Sequence, residues 1–157
     1  MRKRFNKYCA ITALFAIASL DLFSTAAMSH HSFAMYDQTK TVTMTGVMTR
    51  FVAQANHAEI HFVPIGPDGK PMRSADGKPI IWGVEMAGAA AVANQGITAA
   101  GFPAGTIFSV KLNPLRDGTN FGSRTGAIAK CPTGKAPAAG KHCDSVEGST
   151  LLGGTSF

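Results

Sequence analysis

Histidine spacing carries the clearest chemical signal in this chain. Four of the five histidines fall in two short clusters, His30-His31 and His57 with His61. The second cluster lies in Asn56 to Val63, NHAEIHFV, where His57, Glu59 and His61 alternate with Ala58, Ile60 and Phe62. In a strand such positions share one face, with successive members about 6.6 Å apart, so neighbouring side chains can converge on one ion. Two imidazoles and a carboxylate are a donor set for zinc, copper or iron. A solvated strand face of ordinary polar residues explains the same alternation without any ligand. His57 and Glu59 also form a possible acid/base pair, but no evident nucleophile accompanies them.

The chemistry open to His30 and His31 depends on the residues before them. The chain opens MRKRFNKYCAITALFAIASLDLFSTAAMSHHSF. Arg2, Lys3, Arg4 and Lys7 make a basic start, Cys9 to Leu20 an apolar run, and small residues follow. This is the pattern of a cleavable signal peptide, and the run is short for a permanent membrane anchor. Cleavage after Ser29 leaves His30 at the terminus, where its amine and ring nitrogen can hold one metal ion. Cleavage after Ala27 gives Met-Ser-His-His, whose amine, backbone amides and third-position His30 suit square-planar copper or nickel. Cleavage after Ala26 gives neither. Cys9 opens the apolar run instead of following it, so it is not placed for lipid attachment.

The leader also accounts for half of the formal charge. The chain carries 15 Lys and Arg against 9 Asp and Glu, net +6. Without Arg2, Lys3, Arg4, Lys7 and Asp21 the net charge is +3. A mildly basic domain without clustered Lys or Arg gives little support to nucleic-acid binding. No further stretch is apolar enough to span a membrane, so the processed protein is not expected to be integral to one. Cys131 and Cys143 are the only cysteines beyond the leader, and in an oxidising compartment such a pair most simply forms a disulfide. Closing that loop is worth roughly 3 kcal/mol in the chain-entropy model. A redox or metal-binding pair with His142 would need a reactive thiolate environment, of which the sequence shows no sign.

These residues require a β scaffold. Lys40 to Phe51 and Asn56 to Val63 alternate with a period of two, and Gly46 predicts a bend or bulge in the first. Pro64 to Pro79 holds two Asp-Gly turns and reads as a long hairpin loop. Ile80 to Met86 is a third strand with Trp82 in the core. Ala87 to Gln95 is a short helix before Gly96. Ile107 to Leu112 and Phe121 to Ala129 complete five strands, with Arg116-Asp117-Gly118 as a turn carrying a local ion pair. Methionines at strand spacing belong to the core. The expected fold is mainly β, a small five-stranded OB-like Greek-key barrel or an open sandwich with one short helix. The expected organisation is a leader over 1–29, the domain over 30–130 and a disulfide-closed, flexible tail over 131–157.

The segments His30-His31-Ser32-Phe33-Ala34, Lys40 to Val47, Asn56-His57, Trp82-Gly-Val-Glu85, Gly101 to Val110 and Pro114 with Arg116-Asp117-Gly118 resemble a family of small exported bacterial proteins of unknown function. Ala55-Asn56-His57 lacks the Trp and Pro usual there, and Gly105-Thr106 replaces Gly-Asp. The resemblance implies a single exported domain and singles out His30, His31, His57, Trp82 and Glu85. It implies no activity.

Together these features lead us to expect a periplasmic or secreted binding protein rather than an enzyme. The candidate metal ligands are His30, His31, His57, Glu59 and His61, with copper or zinc as the ion. The alternative is an envelope module that recognises a protein or glycan. No serine-hydrolase elbow, phosphate-binding loop, dinucleotide fingerprint or zinc-protease helix occurs.

Overall fold

The alternation in Glu59–Pro64 (β2) decides the inside of the fold. Ile60 and Phe62 are fully buried, whereas Glu59 and His61 are only partly covered. The computed structural model describes residues 33–157. The proposed leader, His30 and His31 lie outside the described residues.

β1 (Val42–Val52) pairs antiparallel with β2 on one side and with β4 (Ile107–Pro114) on the other. β2 continues to β3 (Trp82–Glu85), and β4 to β5 (Phe121–Lys130). A parallel pairing of β3 with β5 closes the ring. The closed barrel answers the expectation of a small, mainly β fold and decides between barrel and sandwich. Closure leaves no long sheet edge unpaired. The one α-helix among the described residues, α1 (Ala89–Ala93), lies between β3 and β4, as expected, but is shorter than the alanine run.

Inward-facing Met48, Ile60, Phe62, Val84, Phe108, Val110, Leu112 and Ile128 form the core together with Val92, Ile97 and Phe102. Phe62 and Phe108 meet edge to face with centroids 5.2 Å apart, a favoured aromatic geometry. Trp82 packs against this core from its margin, as does Met44. Gly46 does not mark the bulge in β1. The register shifts between Met48 and Arg50, and a Cβ at Gly46 would collide with the Phe62 ring and the Val63 carbonyl. The glycine is there for close approach of a core ring.

The long loop after β2 folds as two successive Asp-Gly turns. Gly66 and Ser74 each donate a backbone bond four residues ahead, to Lys70 and Lys78. Asp68 and Asp76 each accept from the amide two residues on.

Cys131 and Cys143 are joined by a disulfide. The tail beyond it differs from the flexible segment expected. Residues Thr150–Leu152 form β6, antiparallel to Ile128–Lys130 of β5. The physical reason lies in the lengths of the strands. β3 reaches β5 only as far as Ser123, so the far end of β5 keeps one unpaired edge that β6 covers. Val146 and Phe157 then pack on a small cluster of Ala129, Cys131 and Cys143.

Candidate functional site

β2 and β3 set the site by their register. Glu59 stands directly opposite Glu85, and His61 opposite Gly83. Since Ile60 and Val84 point inward, Glu59, His61 and Glu85 are on the outer surface of the barrel. Like charges on directly opposed residues repel, and each carboxylate here has its own partner. His57 Nδ1 lies 3.0 Å from Glu85 Oε1, and His61 Nε2 lies 2.8 Å from Glu59 Oε2.

This differs from three side chains on one strand face converging on a point. His57 precedes β2, which begins at Glu59, and it turns to the neighbouring strand instead. Glu59 and His61 pair with each other. Among the described residues no group of three or more His, Cys, Asp and Glu side chains is placed to hold a metal ion. The arrangement is two histidine–carboxylate pairs held side by side.

Three participants were not singled out as ligands from sequence. Tyr36 donates its hydroxyl to Glu85 Oε2 at 2.8 Å and is only 1% exposed. Glu85 is thus engaged on both oxygens. Burial, followed by the hydrogen bond and charge of Glu85 and the charge of Glu59, holds the Tyr36 hydroxyl well above the usual tyrosine range. Arg50 reaches the cluster because the β1 bulge sets it opposite His61, with Nη2 3.4 Å from His61 Nε2. Both Arg50 and a protonated Nε2 are donors, so this approach is charge proximity, while Nε2–H donates to Glu59. Phe121 is the third. Its ring lies over Gly83, where a Cβ would collide with it and stand 3.5 Å from His61 Cε1. Glu85 had a sequence signal in the Trp-Gly-Val-Glu segment, whereas Tyr36 had none.

The two imidazoles differ in what they offer. His61 is largely covered, its side chain 17% exposed, whereas that of His57 is 48% exposed. With Nδ1 turned to Glu85, His57 keeps Nε2 free of any hydrogen bond among the described residues. A histidine with one nitrogen tied to a carboxylate and the other open is the arrangement found around protein-bound metals.

A second polar array lies on the opposite side of β1. Thr45 Oγ1 is 2.6 Å from Ser109 Oγ and 2.8 Å from His142 Nδ1, and Cys143 N–H donates to Ser109 at 2.8 Å. These contacts run from the disulfide segment into the outward side of the β1–β4 pair. His142 and Thr45 also line a shallow cavity of about 270 Å³ with Met44, Ile65 and Pro67. Neither this cavity nor those of about 250 and 320 Å³ near Lys130 and Cys131 include His57, Glu59, His61 or Glu85. No helix among the described residues is long and apolar enough to cross a membrane.

Fold and site together define a small closed β-barrel with a disulfide-stapled C-terminal extension and a histidine–carboxylate cluster on its outer face. Residues 18–124 match the family of unknown function DUF6152, and the chain belongs to that family. The matched stretch ends within β5, before both cysteines. No curated protein and no solved structure matches the chain.

Proposed function

We propose that this is an exported binding protein, periplasmic or secreted, that takes up a transition-metal ion, copper or zinc, through His57 and the N-terminal pair His30 and His31. The observation that carries the reading is the His57–Glu85 contact at 3.0 Å with the imidazole half exposed. A carboxylate on Nδ1 orients the ring and leaves Nε2 as the donor atom. His30 and His31 at the N-terminus are the other candidate donors. Cleavage of the leader after Ser29 adds a terminal amine to the set. Glu59 and Glu85 supply negative charge that favours a cation, while Glu59 and His61 remain a mutually satisfied pair beside it.

The test is copper and zinc titration of the exported, processed protein, with its N-terminus fixed by intact mass. The expected result is one ion per chain, with affinity lowered at least about tenfold by His57→Ala and by the double change His30→Ala/His31→Ala. Binding that neither variant affects, or no binding at micromolar metal, overturns the proposal.

A further inference from the structure

We propose that Tyr36 is a positioning residue: its buried hydroxyl fixes Glu85 and, through Glu85, holds His57 in the tautomer that leaves Nε2 bare. The inference deepens the metal-binding reading and rests on it for its functional consequence. The tautomer itself is independent of any metal.

The support runs through the fold one contact at a time. Tyr36 forms an isolated antiparallel bridge with Leu115 just beyond β4. The residues on either side are fastened as well, Asp37 N–H to Pro114 O at 2.8 Å and Arg116 N–H to Met35 O at 3.0 Å. A backbone pinned on both flanks, with its ring 1% exposed, gives the phenol little freedom. Its hydroxyl has one hydrogen, directed at Glu85 Oε2. Glu85 is equally constrained, because its backbone pairs with Glu59 on one side and Ser123 on the other. Its second oxygen then has one partner within reach, His57 Nδ1.

Hydrogen accounting gives the rest. A carboxylate accepts and does not donate, so Glu85 Oε1 at 3.0 Å favours the proton on His57 Nδ1. In a neutral ring that leaves Nε2 as a lone pair. Free neutral imidazole in water favours the opposite form, with hydrogen on Nε2. The protein therefore has to impose the Nδ1–H form, and a carboxylate locked on its other oxygen can do so. A Glu85 free to rotate would engage His57 with either oxygen or neither. Burial, with the hydrogen bond and charge of Glu85, makes the Tyr36 hydroxyl harder to ionise, and a phenol that stays protonated remains a donor.

The experiment is nitrogen NMR of ¹⁵N-histidine-labelled protein above the imidazole titration range, without metal, with the His57 signals assigned by His57→Gln. Wild type is expected to show His57 as the Nδ1–H tautomer. Tyr36→Phe, which keeps the ring and removes only the oxygen, is expected to shift it towards a mixture. Glu85→Gln gives an independent check, because it removes the charge and keeps the shape. The amide spectrum establishes that each variant is folded. On copper or zinc titration, Tyr36→Phe is expected to bind about tenfold more weakly, as loss of an outer-shell partner typically does. A wild-type His57 carrying its proton on Nε2, or a tautomer unmoved in folded Tyr36→Phe and Glu85→Gln, overturns the inference. A tautomer that moves in protein that binds no metal supports the positioning role and overturns the metal reading.

Discussion

Glu59 and Glu85 face each other across the β2–β3 ladder, yet their carboxylates take different partners, His61 for one and His57 with Tyr36 for the other. Two carboxylates at one rung of a ladder are a liability, which the flanking histidines offset. The two residues do not contribute equally to stability.

Replacing Glu85 by alanine leaves the Tyr36 hydroxyl, 1% exposed, without an acceptor. An orphaned buried donor costs about 1–3 kcal/mol. Glu59→Ala breaks a part-buried pair but also relieves the repulsion, so its cost is expected to be smaller, about 1 kcal/mol. Urea unfolding of the two variants is expected to separate them in that order. Equal losses would show that Tyr36 finds another partner.

Tyr36 also sets an alkaline limit. Its acid form is favoured in the folded state by burial and by the negative charges of Glu85 and Glu59 facing it. An unfolded tyrosine ionises near pH 10, approximately. Below that point both states are protonated and the contribution is fully present. Above it the unfolded chain holds fewer protons than the folded one, so stability falls as pH rises towards the folded value. In a chain starting at His30, Tyr36 is the sole tyrosine, the other being Tyr8. Tyrosinate absorbance is therefore expected to appear together with loss of the fold. Reversible ionisation near pH 10 in intact protein would contradict the hydrogen bond to Glu85.

Much of this fold is legible in the sequence, because period-two alternation reports which side chains face inward. Ile60 and Phe62 are in the core and Glu59 and His61 are outside, as NHAEIHFV predicts. The partners across the strands are a different matter. That His57 faces Glu85 depends on the β2–β3 register and on where β2 begins, neither of which alternation fixes. Tyr36 is further removed, because its position follows from backbone bonds to the segment after β4. The tail is rich in Gly, Ser and Thr, a composition that masks the anchoring power of Val146, Leu152 and Phe157.

That tail makes the disulfide more than a loop closure. Removing the bridge by Cys131→Ala/Cys143→Ala is expected to cost roughly 3 kcal/mol in the chain-entropy model. It also loosens Cys143, whose N–H donates to Ser109, and His142, which meets Thr45. Ser109→Ala leaves that N–H without its acceptor with the disulfide intact, at a cost of about 1–3 kcal/mol. Because the two changes act on one connection, their combined effect is expected to be less than their sum. Full additivity in denaturant titrations would separate the hydroxyl array from the bridge.

Gly46 and Gly83 provide the last comparison, since both sit in strands beneath an aromatic ring but differ in what can yield. A Cβ at Gly46 meets Phe62, which is fully buried, and the Val63 backbone carbonyl. Neither can move without disturbing the core, so Gly46→Ala is expected to cost about 3 kcal/mol, the upper end of the usual range for overpacking. A Cβ at Gly83 meets only the Phe121 ring within tight range, on the outer surface. That ring can swing away, and Gly83→Ala is expected to cost about 1 kcal/mol. The displaced ring lies next to His61, so the variant should also change the His61 imidazole signals while leaving those of Phe62 in place. If Gly83→Ala proves as damaging as Gly46→Ala, the Phe121 ring is fixed, and the face carrying Glu59 and His61 is as rigid as the core beneath it.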